Sequence, residues 1–220
     1  MAEVQAAATV VLLREGSVGA ELLLLKRPQH GAFPNAWVFP GGRVEVDDVV
    51  SDSDEEVDVA RRTAAREALE ETGLTISPQD LHHYAVWLPP VQAPVRFHTW
   101  FFVGSVPSYA SVQLPETELV EHVWVSPQGA IDLHQRGEID LMPPTFVTIH
   151  GLAQGQTLDE ILAIAAAIDV PPLYTSHGVK SDEGMMLVWA GDSEYPGSEN
   201  TEGRHRLSMG DRPWAYERNF

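Results

Sequence analysis

Glu67, Glu70 and Glu71 stand at i, i+3 and i+4, the spacing that gathers three carboxylates on one flank of a helix, and two glycines, Gly41 and Gly42, precede them in the chain. The stretch opens Pro-Gly-Gly-Arg-Val-Glu over residues 40–45 and closes Arg-Glu-Ala-Leu-Glu-Glu-Thr-Gly-Leu over residues 66–74. Like charges at this spacing repel by roughly 0.2–0.5 kcal/mol per pair. A hard divalent cation reverses the sign, because Mg2+ selects oxygen ligands and shares its shell with water and substrate phosphate. An acidic helix face alone ordinarily meets only water. The glycines alter that reading, since backbone without Cβ turns tightly and comes close to an ion or ligand.

The carboxylates need a helix to hold them. Ala64, Ala65, Ala68, Leu69 and Glu70 favour one, and Gly73 stands where a C-terminal cap belongs. Ser53 with Glu56 fits a capping box at its start, while Asp58 would begin a shorter helix. At 3.6 residues per turn, Ala65, Ala68 and Leu69 form one apolar face with the three glutamates roughly opposite.

These residues resemble the Nudix hydrolases, which cleave nucleoside diphosphates linked to another moiety. The family pattern is Gly, five residues, Glu, seven residues, then Arg-Glu-apolar-x-Glu-Glu-x-Gly-apolar. Arg66, Glu67, Ala68, Glu70, Glu71, Gly73 and Leu74 match its second half. The first half departs: residues 43–65 put 23 positions between Gly42 and Arg66 where the pattern has 13, so ten are inserted. Counting back from Arg66 puts Asp58 at the motif's first carboxylate; counting forward from Gly42 puts Asp48 there. The backward count makes Asp58 the expected structural carboxylate. Residues 37–44, the acidic insertion after them and Pro143-Pro144-Thr145 also resemble a branch that includes peroxisomal coenzyme A diphosphatases, although that group's Gly-Gln-Val-Ser-Phe run is replaced here by residues 34–39.

The resemblance implies an α/β fold, a Nudix-type α/β/α sandwich with a mixed sheet, plus added C-terminal helices and a short β-rich tail. It implies a hydrolase domain over residues 1–138 and an extension over 139–220 packed on it. It further implies Mg2+, with Mn2+ as a substitute, held by Glu67, Glu70, Glu71 and the Gly41 carbonyl. Gly42, Arg66, Gly73 and Asp58 take structural roles, Arg66 bracing the helix. A glutamate beyond the motif supplies another ligand or the catalytic base in this family. Glu118 is the candidate, ahead of Glu116, Glu121 and Glu138, because Glu118, Glu121 and Trp124 approach a strand as Glu-x-x-Glu-x-x-Trp. The expected reaction is hydrolysis of a diphosphate bond in coenzyme A or an acyl-CoA, or else in ADP-ribose, NADH, a nucleotide sugar or a nucleoside triphosphate. A non-catalytic nucleotide sensor is the reading from another class.

The chain of 220 residues, 44% hydrophobic, suffices for one large domain or a domain with an extension. Its net charge of −18 argues against binding a nucleic-acid polymer or an anionic membrane, because phosphate contacts need clustered Lys and Arg. A bound cation still permits a nucleotide-like small-molecule substrate. Without cysteine there is no disulfide, thiolate zinc site or cysteine nucleophile. No run approaches the roughly 20 apolar residues of a membrane span. The first fifteen residues lack a signal-peptide pattern and the last three are not Ser-Lys-Leu, so the expected location is cytoplasmic.

Strands are expected at residues 6–13, 21–26, 37–39, 74–76, 84–88, 96–103 and 121–125. Helices are expected at about 127–136, 141–153 and 158–167, the last capped by Thr157 with Glu160. Trp37 and Phe39 read as core residues, and His98 as a core or edge histidine rather than a base. Tail strands are expected at 185–190, 204–208 and 215–218, with Arg204, His205 and Arg206 read as surface. The tail either folds back over the site or joins two copies in a homodimer.

Overall fold

β1 (Val4–Glu15) is buried without a break from Ala7 to Leu13, which requires cover on both faces. The computed structural model describes residues 4–30, 33–51, 53–93, 95–115, 119–181 and 184–219. β2 (Ala20–Lys26) pairs antiparallel with the far end of β1, and β6 (Arg96–Ser105) runs parallel along its other side. β5 (His82–Leu88) continues antiparallel from β6, and β9 (Leu173–Thr175) closes that edge. β2 also carries β3 (Ala36–Val38) and β7 (Glu121–Val125), and β8 (Asp140–Leu141) lies parallel on β3. Three-residue β4 (Gly41–Arg43) pairs with residues 7–9 of β1. These make one mixed sheet of nine strands among the described residues. A second, antiparallel sheet holds β10 (His177–Ser181), β11 (Gly184–Val188), β12 (Arg204–Met209) and β13 (Ala215–Asn219).

Alternation along β1 assigns the two layers. Ala8, Val10 and Leu12 face α1 (Glu56–Thr72) and pack with its Ala60, Ala64 and Ala68. Val11 and Leu13 face the other way, toward α2 (Pro127–Gln135), α3 (Pro143–Leu152) and α4 (Leu158–Ala166). Trp189, just past β11, and Leu207 of β12 share that core with Trp87 and Phe101. The result is a sheet between helical layers, as expected for the sandwich.

Several expectations change. Residues 74–76 form no strand; Leu74 and Ile76 are buried apolar anchors of an irregular crossing, with the Leu74 N–H on Thr72 Oγ1. Leu141 belongs to β8 rather than to α3, which starts at its two prolines. The α1 face against the sheet is Ala60, Ala64 and Ala68, whereas Leu69 is 49% exposed. Leu69 lies about 100° round the helix from Ala68, past the edge of contact. His205 and Arg206 are buried rather than surface residues: Arg206 pairs with the buried Asp192, and His205 bonds Ala190 O and Tyr216 Oη. Trp37 and Phe39 are core residues, and half-buried His98 packs edge-on against Trp100.

Candidate functional site

α1 begins at Glu56 with Glu55 as its N-cap and no side-chain cap, so neither Ser53 nor Asp58 opens it. It ends at Gly73, whose φ of 70° is left-handed and whose N–H closes on Leu69 O at 2.8 Å, the conformation that favours glycine. Opposite lies β4. Val10 N–H donates to Pro40 O and Val44 N–H to Ala6 O, so residues 40, 42 and 44 bond toward β1. In an antiparallel ladder the intervening residues turn their polar groups outward. Gly41 and Arg43 therefore present N–H and C=O to the edge facing α1.

The helix occupies that edge at two points. Gly41 N–H donates to Glu71 Oε2 at 2.9 Å, and Arg66 Nη2 donates to Arg43 O at 2.9 Å. The outward Gly41 carbonyl belongs to the same edge. Gly42 sits behind the third carboxylate: a Cβ there would stand 2.6 Å from Glu67 Cδ. A Cβ on Gly41 would meet Thr9 Cα at 2.7 Å. Both glycines are thus required by close approach, one to β1 and one to Glu67.

Arg66 orders the acidic flank. It makes two bonds of 3.0 Å to Asp48, one through Nε to Oδ1 and one through Nη2 to Oδ2, and its Nη1 donates to Glu67 Oε1 at 2.9 Å and Glu70 Oε2 at 2.8 Å. Bonding to Asp48, and then to Glu67, raises the Arg66 pKa further above its usual value. Asp48 is 4% exposed and also accepts from Thr63 Oγ1 and the Glu45 N–H. Burial pushes its pKa up, but the bonds from Arg66, Glu45 and Thr63 outweigh that and hold it below the usual carboxylate range. Burial raises the pKa of Glu67; Arg66 opposes this, and Glu70 and Glu45 add to it. Glu70 is the exposed member, at 56% of its side chain.

The carboxylate that braces Arg66 is Asp48, not Asp58. Asp58 lies in the first turn of α1 with its side chain 56% exposed, 3.8 Å from Arg61. The backward count fails because the ten extra residues follow the carboxylate: residues 49–65 number 17 where the pattern has seven. The forward count from Gly42 was the usable signal. Thr63, Arg62, whose Nε donates to Asp48 O at 2.6 Å, and the Arg43 carbonyl carried no comparable signal. Glu116 and Glu118 lie outside the described residues. Glu121 pairs with Lys26 at 3.3 Å and Glu138 with Arg136 at 2.5 Å.

Among the described residues no three acidic or histidine side chains stand together as a ready-made metal cluster. Arg66 spans Glu67 and Glu70 instead. The donor chemistry nevertheless fits a hard cation: carboxylate oxygens, a strand carbonyl, and a half-buried Glu67 whose charge burial and acidic neighbours disfavour. A protein-family model described as the NUDIX domain matches residues 3–143. The chain belongs to this family.

Two curated NUDIX relatives are similar over part of their length. The chain is 26% identical over 174 residues to nudix hydrolase 7 of Caenorhabditis elegans, covering 63% of this chain and 57% of that protein. It is 33% identical over 124 residues to the m7GpppN-mRNA hydrolase NUDT17 of Danio rerio, covering 50% and 38%. The chain thus spans less than two thirds of either. A NUDIX hydrolase from Alicyclobacillus acidocaldarius superposes with a TM-score of 0.65 at 21% identity, covering 74% of this chain and 97% of that one. The NUDIX domain of Shewanella oneidensis NrtR, solved with ADP ribose, superposes at 0.52 with 15% identity, covering 68% and 86%. Both establish the shared fold.

Proposed function

We propose that this NUDIX chain hydrolyses a diphosphate bond in a nucleoside diphosphate derivative with the help of Mg2+ or Mn2+. One observation carries the proposal: Glu71 on the Gly41 N–H and Glu67 against the Cβ-free side of Gly42 bring helix carboxylates to the edge that bears the Gly41 carbonyl. Glu67, Glu70, Glu71 and that carbonyl would hold the cation. When bound, the ion offsets charge on phosphate oxygens and acidifies an attacking water. Arg66, fixed by Asp48 and Arg43 O, keeps Glu67 and Glu70 turned to one side. In-line attack by water needs no nucleophilic side chain, and Glu118 is assigned to take up its proton.

The names of the Danio rerio relative and of the Shewanella oneidensis complex support a nucleotide-derived substrate. Coenzyme A is a candidate from the likeness of residues 37–44, beside ADP-ribose, NADH and nucleotide sugars. The test is product analysis by mass spectrometry after separate incubations with Mg2+ and ADP-ribose, coenzyme A or a capped dinucleotide. AMP with ribose 5-phosphate, or phosphopantetheine with adenosine 3′,5′-bisphosphate, names the substrate, and Glu71→Gln lowers the rate by roughly 10²-fold. Mg2+-dependent ligand binding with no product from any candidate refutes hydrolysis and leaves a binding domain.

A further inference from the structure

Pairing across the sheet places Gln5, Ala7, Arg43, Phe97 and Thr99 on one face, the one turned away from α1. Ala7 stands opposite Arg43 on β4 and beside Thr99 on β6, and Gln5 stands beside Phe97. Arg43 links this face to the acidic flank: its carbonyl accepts from Arg66, while its guanidinium lies over the Phe97 ring, 5.5 Å from the centroid. In a chain with 32 acidic and 14 basic residues, Arg43 has no carboxylate partner among the described residues. Arg43 is an exposed residue, so its guanidinium lies over Phe97 at the protein surface. Beside them Gln5 Oε1 is buried with no donor among the described residues. Buried acceptors are nearly always satisfied, and small Ala7 lies next to this one.

We propose that Arg43, backed by Phe97, seats the base of the substrate and that Gln5 selects a base carrying an exocyclic amine. An arginine plane held against an aromatic ring stacks on a heteroaromatic base, and an amide oxygen accepts from an amine such as that of adenine. Gly41 and Arg43 lie two residues apart on β4, so a ligand spanning them has its diphosphate at the acidic flank and its base on the opposite face. The inference rests on the hydrolytic reading for the identity of that diphosphate, but base binding is measured without turnover.

The experiment is isothermal titration of AMP, IMP and ribose 5-phosphate into the full chain with Mg2+, for the parent, Phe97→Leu and Gln5→Met, each checked for an unchanged thermal transition. The parent binds AMP about tenfold more tightly than ribose 5-phosphate and severalfold more tightly than IMP. Phe97→Leu removes most of the first advantage, and Gln5→Met, which keeps shape but loses the acceptor, brings AMP and IMP to parity. Equal binding of AMP and ribose 5-phosphate by the parent overturns the proposal, as do folded variants that keep both preferences. Base preference without turnover of any diphosphate sinks the hydrolytic reading alone; turnover without base preference sinks the base seat alone.

Discussion

Gly42→Ala separates the chemistry of the site from the stability of the fold. The added methyl would stand 2.6 Å from Glu67 Cδ and 2.8 Å from Glu67 Oε2, where an ordinary carbon contact is about 3.5 Å or more. The carboxylate must therefore retreat by about 1 Å, and a misplacement of that size typically costs about 10²-fold in rate. Nothing comparable threatens the backbone, because the nearest atoms belong to the end of a flexible side chain. Removing a glycine from the unfolded ensemble contributes about 0.4–1 kcal/mol where the native backbone tolerates alanine. The expected variant melts at or slightly above the parent in EDTA, shows a smaller Mg2+-induced rise in melting temperature, and has kcat lowered about 10²-fold. Gly41→Ala, whose methyl meets Thr9 Cα, lowers the melting temperature instead. A double-mutant cycle sharpens the point: once Glu67 is alanine, Gly42→Ala adds little, because both changes act through the same carboxylate. Full activity in Gly42→Ala, or additive losses in the cycle, would refute the cradle.

Asp48→Asn removes a buried partner of Arg66 and costs about 2 kcal/mol or more in urea unfolding, whereas Asp58→Asn costs under about 0.5 kcal/mol. Because the Asp48 pKa is lowered in the fold, its stabilisation is complete above the unfolded value of about 3.9 and fades as pH falls through the folded one; Asp48→Asn flattens that acid limb of melting temperature against pH. Glu67 has the opposite sign, its raised pKa making the ionised form unfavourable near neutrality, so Glu67→Gln melts higher than the parent in EDTA while losing most of the Mg2+-induced shift. Burial, and then Arg61, lowers the His83 pKa to about 4. Folding therefore opposes its protonation, and the parent loses stability between about pH 6.5 and 4. His83→Leu loses less over that interval; an unchanged slope would contradict the assignment.

The second half of the motif was legible because its residues act locally. Helix formers, a left-handed glycine and the i, i+3, i+4 carboxylates are all properties of one continuous segment, and the Thr157–Glu160 capping box of α4 was readable for the same reason. What escaped depends on partners distant in sequence. β4 consists of two glycines and an arginine, poor strand formers by sequence, and only its pairing with β1, which approaches too closely for a Cβ at Gly41, makes it a strand. The choice between Asp58 and Asp48 turned on where an insertion falls, which spacing leaves open and Thr63 with Arg66 decides in space. The buried stripe of Ala60, Ala64 and Ala68 was hidden by the stronger apolarity of Leu69, and β9 by its dependence on the distant β5.

β4 also carries a safeguard in its register. Even-numbered residues knit it to β1 while odd-numbered ones serve the helix, so slippage by a single position exchanges the two sets. Proline would then face the helix with no N–H to offer Glu71. A chain that has paired these strands wrongly therefore loses the bond from Gly41 to Glu71 along with its sheet, and the proposed site forms only when the sheet assembles in register.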